Sequence, residues 1–303
     1  MIEKFNFYDI YGYFLPGLSL LGILWLPFGL VKRSWPAKDW GSAIIVLALA
    51  YVLGQFLQTF GATALKSKIA PNNRFPSDAA LDAGSMPETM RTKIAEIFQR
   101  RFGMDLRVDQ PASKEIDAMR NHAFFLARSV LNREKTGSYA EQYQGMYALT
   151  RGLVVALVWG VAYWVGWAAS IYRTRSAALW AAFGIIMTLS LLASLTLWLS
   201  QESITKTQRW RMERVSLFAL MPLALLTVGY IVGLRYGLTL RDCSVLLLAS
   251  AAGFAACVRF YSAHKTFAWS FATAVWRDFL ALNVYLEDQG SSSRSTPNPS
   301  AVP

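Results

Sequence analysis

The chain has 303 residues, of which 54% are apolar and only 16% are charged, and its formal net charge is +11. Soluble globular domains carry about a quarter charged residues, so this composition argues against an ordinary soluble protein. It also excludes a disordered chain, a collagen and a disulfide-rich scaffold. The 11 Trp, 13 Tyr and 18 Phe point the same way, because amphipathic aromatic side chains favour membrane interfaces.

Six long stretches without charged residues divide the chain. A hydrocarbon core about 30 Å thick needs roughly 20 helical residues, and five of the stretches reach that length. The last one, between Asp242 and Arg259, is shorter, but an arginine at a helix end can extend its side chain to the interface. The first stretch lacks a basic leader and a cleavage site, so we expect it to be retained. We predict an all-α membrane protein with six transmembrane helices, at about 11–31, 41–62, 152–172, 177–199, 215–235 and 243–260.

A polar segment, 66–151, separates the second and third predicted spans and is expected to form a cytoplasmic helical insert. Residues 69–84 are rich in Pro, Asn and Gly, which favours a loop. The sequence 85–88, Ser-Met-Pro-Glu, is typical of a capping box and predicts the start of a helix. Gly103 is the expected C-terminal cap of that helix.

Two more helices are predicted in the insert. One begins near Ser113 and shows a helical apolar period. Its expected buried face consists of Ile116, Met119, Ala123, Ala127 and Val130. The other carries tyrosines four residues apart and is expected to lead into the third span; these are Tyr139, Tyr143 and Tyr147.

The C-terminal part, 261–289, predicts an amphipathic helix that is cytoplasmic or interfacial. We favour this interpretation over a seventh span, because Arg277 and Asp278 interrupt the apolar stretch. Its apolar stripe is a candidate partner-docking or gating surface and includes Phe267, Phe271, Val275 and Phe279. Residues 290–303 are expected to be a disordered tail. The predicted divisions are thus 1–65 with spans one and two, 66–151, 152–260 with spans three to six, 261–289 and 290–303.

The basic residues predict the orientation. On the side of the polar segment they number 23, and on the other side 7. Because cytoplasmic loops carry the excess of Lys and Arg, we expect both termini and the insert in the cytoplasm of a bacterial inner membrane. Flanking charges that meet anionic lipid account for most of the net charge. A basic cytoplasmic surface on a homo-oligomer is also a candidate site for an anionic ligand.

The sequence offers little catalytic chemistry. Cys243 and Cys257 lie 14 residues apart, which is roughly 21 Å along a helix and too far for a disulfide. His122 and His264 lie in different segments, and we find no metal-ligand spacing and no nucleotide-binding motif. We expect no enzyme activity and no cofactor. None of the predicted spans holds an ionisable residue near its centre, which argues against a proton-coupled transporter.

Polar and helix-breaking residues within the spans are the remaining candidates. Gln55 and Gln58, and likewise Ser190 and Ser194, could line a narrow aqueous path or pack one helix against another. Helix-breaking residues are tolerated in membranes and sometimes mark a hinge. The candidate hinge residues are Pro16, Gly17 and Pro222.

Residues 7–17 read F-Y-D-I-Y-G-Y-F-L-P-G. This segment resembles the F-Y-D-x-x-G-Y-x-x-P-G opening of small bacterial inner-membrane proteins, some of which sit with phage-defence genes. It is similar to the membrane channel effector family of the Hailong defence system. That resemblance implies a tetrameric channel controlled by an oligonucleotide ligand, and no functional residue is carried over from it.

Three functions compete at this point. The first is an oligomeric ligand-gated channel or membrane-disrupting effector with a cytoplasmic sensing segment. The second is a non-conducting membrane scaffold that docks a cytoplasmic partner protein through its C-terminal helix. The third, a membrane-embedded enzyme acting on lipid, has the least support, because no convergent acid, base or metal site is visible.

Overall fold

The computed structural model describes residues 8–32, 40–65, 74–134, 138–170, 206–236 and 238–292. Within these ranges the regular elements are helices, and no strand occurs. A π-helical stretch, Asp9–Phe14, leads directly into the first α-helix. The α-helices are α1 (Leu15–Lys32), α2 (Trp40–Ala64), α3 (Pro76–Ala79), α4 (Glu88–Phe102), α5 (Lys114–Glu134), α6 (Ser138–Ala169), α7 (Lys206–Tyr236) and α8 (Leu240–Ser292).

Four helical segments in the described ranges are long and apolar enough to cross a membrane, which indicates a membrane protein. They are Asp9–Lys32, Gly41–Ala62, Tyr139–Ala169 and Leu240–Leu286. A shorter apolar helix, Met221–Tyr236, overlaps the fifth predicted span. The fourth predicted span, 177–199, lies outside the described residues. The count of six spans therefore stays a prediction.

The chain folds as two compact units. The membrane unit consists of 1–66 and 145–264, and the insert unit consists of 67–144 and 265–303. Two of the three boundaries between the units fall inside helices, one in α6 and one in α8. Each unit therefore contributes one part of each of these two helices.

Close helix contacts in the membrane unit depend on glycine. A methyl group at Gly17 of α1 would overlap the backbone carbonyl of Ala50 in α2. A methyl group at Gly54 of α2 would overlap the carbonyl of Tyr13. Small residues at such contacts let membrane helices approach closely, so that van der Waals contacts hold them together.

The structure places α4 later than the sequence pattern predicted. Gly103 caps its C-terminus as expected, with a left-handed φ of +66° and an N–H that donates to the carbonyl of Gln99. The capping box at Ser85 is wrong, because α4 begins only at Glu88, with Pro87 as its N-cap and no side-chain cap hydrogen bond. Ser85 instead belongs to a turn, in which its N–H donates to the carbonyl of Asp82 over 3.2 Å. The segment predicted as a loop also contains one helical turn, α3.

Helix α5 begins where it was predicted to begin. The Ser113 hydroxyl accepts a hydrogen bond from the N–H of Ile116 over 3.2 Å, as an N-cap does. Its buried face is rotated from the predicted one, since Met119 and Val130 lie at its half-buried edge. The buried residues are Ile116, Arg120, Ala123, Phe124, Ala127 and Leu131.

The predicted C-terminal amphipathic helix is the second part of the 53-residue helix α8. Its stripe contributes to the core of the insert unit, in which Val275 and Phe279 are fully buried. Phe271 packs against that core and is partly buried, and Phe267 is half-buried. Trp276, which the stripe did not include, is also fully buried, and its indole N–H donates to the carbonyl of Ser77 over 3.2 Å.

Candidate functional site

One buried glutamine joins three helical segments of the membrane unit. The Nε2 of Gln58, on α2, donates to the carbonyl of Gly12 over 2.5 Å and to the carbonyl of Ala148 over 2.7 Å. Its Oε1 accepts from Nε and Nη2 of Arg151 over 2.8 and 2.6 Å. Gln58 is only 5% exposed. We call Gly12, Gln58, Ala148 and Arg151 the Gln58 junction.

The N-terminal motif explains why Gly12 accepts from a side chain. In an α-helix the carbonyl of Gly12 would accept from the N–H of residue 16, but Pro16 has none. The chain is π-helical at this point, and the amide of Gln58 donates to the Gly12 carbonyl across the helix contact. Membrane helices tolerate proline where a neighbouring helix satisfies the freed backbone groups in this way.

Small residues make room for the Gln58 junction. A Cβ at Gly152 would lie 2.7 Å from Cβ of Pro16 and 3.0 Å from Nε2 of Gln58. A Cβ at Gly61 would lie 2.7 Å from Cγ of Arg151. Both separations are too short for real carbon contacts, so these glycines allow the side chains of the junction to reach their partners.

Aromatic rings lie beside the junction. The Arg151 guanidinium lies 5.2 Å from the ring centroid of Tyr147, within the range of a cation–π contact. Tyr147 stacks on the buried His264 with a centroid distance of 4.6 Å. The Nδ1 of His264 lies 3.3 Å from the carbonyl oxygen of Tyr147. The junction therefore extends along α6 to α8 within the membrane unit.

The same arrangement of proline and donor recurs further along α1. Pro27 cannot donate to the carbonyl of Ile23, four residues earlier. The indole N–H of Trp164, on α6, donates to that carbonyl over 2.8 Å. Two carbonyls of the first span thus accept hydrogen bonds from side chains of other helices.

The predicted candidates fall in different places. Gln58 lies in the junction, whereas Gln55, one turn earlier on α2, is exposed. Pro16 and Gly17 are buried next to the junction. Ser190 and Ser194 lie outside the described residues. Pro222 lies inside α7, which continues as an α-helix past it, and its role as a hinge stays a prediction.

Sequence reasoning missed a charged cluster in the insert unit. Arg120 is fully buried and donates to the carboxylate of Asp82 over 2.7 Å and to the carbonyl of Arg107 over 2.9 Å. Arg74 donates to the same carboxylate and to Asp117. These bonds, the one to Asp82 first, raise the already high pKa of the Arg74 guanidinium.

A signal for this cluster was present in the sequence. Arg120 interrupts the apolar face of α5, four residues after Ile116 and three before Ala123. A charged residue in such a stripe is almost never buried unless it is paired, so it predicts a partner of opposite charge. Its partner Asp82 is 38 residues away, and no local pattern points to it.

Within the described ranges, no group of three His, Cys, Asp or Glu side chains could hold a metal ion. Cys243 is buried and Cys257 is half-buried, and neither forms a disulfide. No family model, no curated protein and no solved structure matches this chain.

Proposed function

We propose that this protein is an oligomeric, ligand-gated channel or membrane-disrupting effector of the bacterial inner membrane, with the insert unit as its cytoplasmic sensor. The N-terminal resemblance suggests a role in anti-phage defence. One observation carries the proposal. Helix α6 contributes Tyr139 and Tyr143 to the insert unit and contributes Ala148 and Arg151 to the Gln58 junction.

This continuity gives a physical route for a signal. A ligand that binds the insert unit differently in two conformations shifts the balance between them. A displacement of α6 moves the Ala148 carbonyl and the Arg151 guanidinium, and with them the acceptor and donor that Gln58 uses. Because Gln58 also donates to the Gly12 carbonyl, the start of the first span would move with it. The junction would then bias the equilibrium between a closed and an open arrangement of the spans.

The test is conductance. Purified protein in planar bilayers should give discrete currents or, as an effector, release dye from liposomes once a cytoplasmic extract from phage-infected cells is added. Gln58→Leu removes the hydrogen bonds of the junction and should change the open fraction. Gln110→Leu, in an exposed turn of the insert unit, is the matched control and should behave as wild type. A folded oligomer that conducts under no condition would refute the proposal.

The scaffold alternative has less support. It needs the apolar stripe of the C-terminal helix as a docking surface. Val275 and Phe279 of that stripe are covered by the core of the insert unit. A partner would have to displace this core before it could use them.

A further inference from the structure

A cavity of about 480 Å³ lies in the insert unit, between the first turns of α6 and the second part of α8. Three aromatic side chains line it, namely Tyr139, Tyr143 and Trp269. The charged side chains at its wall are Arg277 and Asp278. Its volume is within the range of pockets that hold small molecules.

The carboxylate of Asp278 is incompletely satisfied. The backbone N–H of Ala140, in the first turn of α6, favours its charged form. Its Oδ2 is buried and receives no hydrogen bond from any residue in the described part of the chain. The nearby Thr273 hydroxyl already donates to the carbonyl of Trp269 over 2.9 Å. Asp278 lines the cavity, so its carboxylate can accept a hydrogen bond there from a ligand with N–H donors.

The aromatic walls favour the same kind of ligand. A cation within about 6 Å of a Trp or Tyr ring face is attracted by the ring quadrupole, and Trp is the strongest of these partners. Arg277 opposes a cation, but its side chain is exposed and its charge is screened by water and salt. Asp278 is half-buried, so its charge acts on the cavity with less screening.

We propose that this cavity binds small organic ammonium ions that carry at least one N–H. The ammonium group contacts Asp278, and its apolar body packs between Tyr143 and Trp269. Two sources supply this chemistry, a free amine and the ethanolamine headgroup of a lipid. The proposal does not depend on conductance, and its test measures binding alone.

The probe is phenethylammonium chloride, titrated by calorimetry into the full-length protein in detergent and an amine-free buffer. The wild type should bind it saturably, and Asp278→Asn should bind it about tenfold more weakly, since it loses the charge but keeps nearly the same side-chain shape. Asp109→Asn, an exposed carboxylate elsewhere in the insert unit, is the matched control and should bind as wild type does. The neutral 2-phenylethanol should not distinguish the wild type from Asp278→Asn.

A second variant keeps the proposal testable if Asp278→Asn does not fold. Trp269→Leu removes a ring from the wall and should also weaken binding of phenethylammonium. The proposal is overturned if the wild type binds this ion without saturation at millimolar concentrations. It is also overturned if a folded Asp278→Asn variant binds it as tightly as the wild type.

Nanodiscs distinguish the two sources of the ammonium group. Phosphatidylethanolamine carries N–H donors, and phosphatidylcholine of the same acyl chains carries none. If phosphatidylethanolamine alone suppresses binding of phenethylammonium, the natural occupant is the lipid headgroup. If binding is equal in both nanodiscs, the occupant is a free amine.

Discussion

Single polar side chains in the membrane unit connect helices by donating hydrogen bonds to backbone carbonyls. A proline four residues after each of these carbonyls has no N–H to donate. Pro16 and Pro27 lie in one helix, and Gln58 and Trp164 donate to the carbonyls four residues before them. In hydrocarbon an unsatisfied carbonyl is costly, because no water is available to replace its donor. The positions of these two donors therefore fix where the second and third spans contact the first.

Trp164→Phe tests one of these bonds in isolation. The substitution keeps an aromatic ring and leaves the Ile23 carbonyl without this donor, so we expect a loss of about 1–3 kcal/mol of stability. Trp25→Phe is the control, since the Nε1 of Trp25 is buried with no hydrogen-bond partner in the described residues. Thermal unfolding in detergent measures both variants. Equal losses for the two substitutions would show that ring size, and not the hydrogen bond, matters.

Asp78 gives the insert unit a dependence on pH. The side chain is 3% exposed, and burial raises its pKa above the ordinary 3.8, although hydrogen bonds from Ser77 and Asn121 oppose the shift. The folded state therefore binds a proton more tightly than the unfolded state does. The linkage relation then has a negative slope, so this group lowers stability as pH rises from about 3.8 through the raised pKa.

Asp78→Asn removes that charge and should keep an oxygen that accepts from Ser77 and Asn121. We expect the variant to be more stable than the wild type at pH 7, with the difference shrinking toward pH 4. Melting temperatures of both proteins across this range measure the effect. A difference that grows on acidification would contradict a raised pKa for Asp78.

At the scale of helices, glycine sets the distance between α1 and α2. A side chain at Gly17 meets the backbone of Ala50, which cannot rotate away as a flexible side chain can. The two helices must therefore separate to accept even a methyl group. This contact lies one residue after Pro16, so the same two turns of α1 carry both the close approach and the Gln58 junction.

Gly17→Ala should lower stability by an amount at the upper end of about 1–3 kcal/mol, the usual range for overpacking. Gly22→Ala on the same helix is the matched control, because no atom lies within 4 Å of the added carbon. That variant should be neutral or gain about 0.5–1 kcal/mol from the better helix propensity of Ala. Thermal unfolding of the two variants distinguishes packing from propensity, and a destabilised Gly22→Ala would contradict the role assigned to packing.

The helices follow from local sequence, but their pairings do not. The lengths of the stretches without charged residues predicted where α1 and α2 lie. A glycine after a run with helical apolar spacing predicted the end of α4 at Gly103. Gln58 and Arg151 are 93 residues apart, and neither pattern nor spacing relates them. The predicted buried face of α5 was wrong for a related reason. The apolar pattern left out Arg120, because its pairing with Asp82 is not visible in the local sequence.

At the scale of the whole molecule, the asymmetry of basic residues predicts which compartment each loop occupies. Gln110 lies in an exposed turn of the insert unit, and Leu240 is 76% exposed at the start of α8. The sequence assigns these positions to opposite sides of the membrane. We therefore expect them to differ in their access to a reagent that cannot cross it.

Cysteine labelling checks this expectation. In a background with Cys243→Ala and Cys257→Ala, Leu240→Cys should react with an impermeant maleimide in intact spheroplasts. Gln110→Cys should react only after the membrane is permeabilised. Both cysteines reacting in intact spheroplasts, or the reverse order, would overturn the orientation. An insert unit outside the cell would also remove the basis for a cytoplasmic sensor.

The prolines of α1 have a consequence for how the protein is made. The first span emerges from the ribosome with two carbonyls, those of Gly12 and Ile23, for which a proline occupies the position of the α-helical donor. The Gly12 carbonyl gains its side-chain donor, Gln58, 46 residues later in the chain. The donor to the Ile23 carbonyl, Trp164, is synthesised 141 residues after Ile23. Until Trp164 has been synthesised, the newly made helix lies in lipid without the hydrogen bond that Trp164 donates to the Ile23 carbonyl. Chains truncated before the third span should therefore be the ones that membrane quality-control proteases remove.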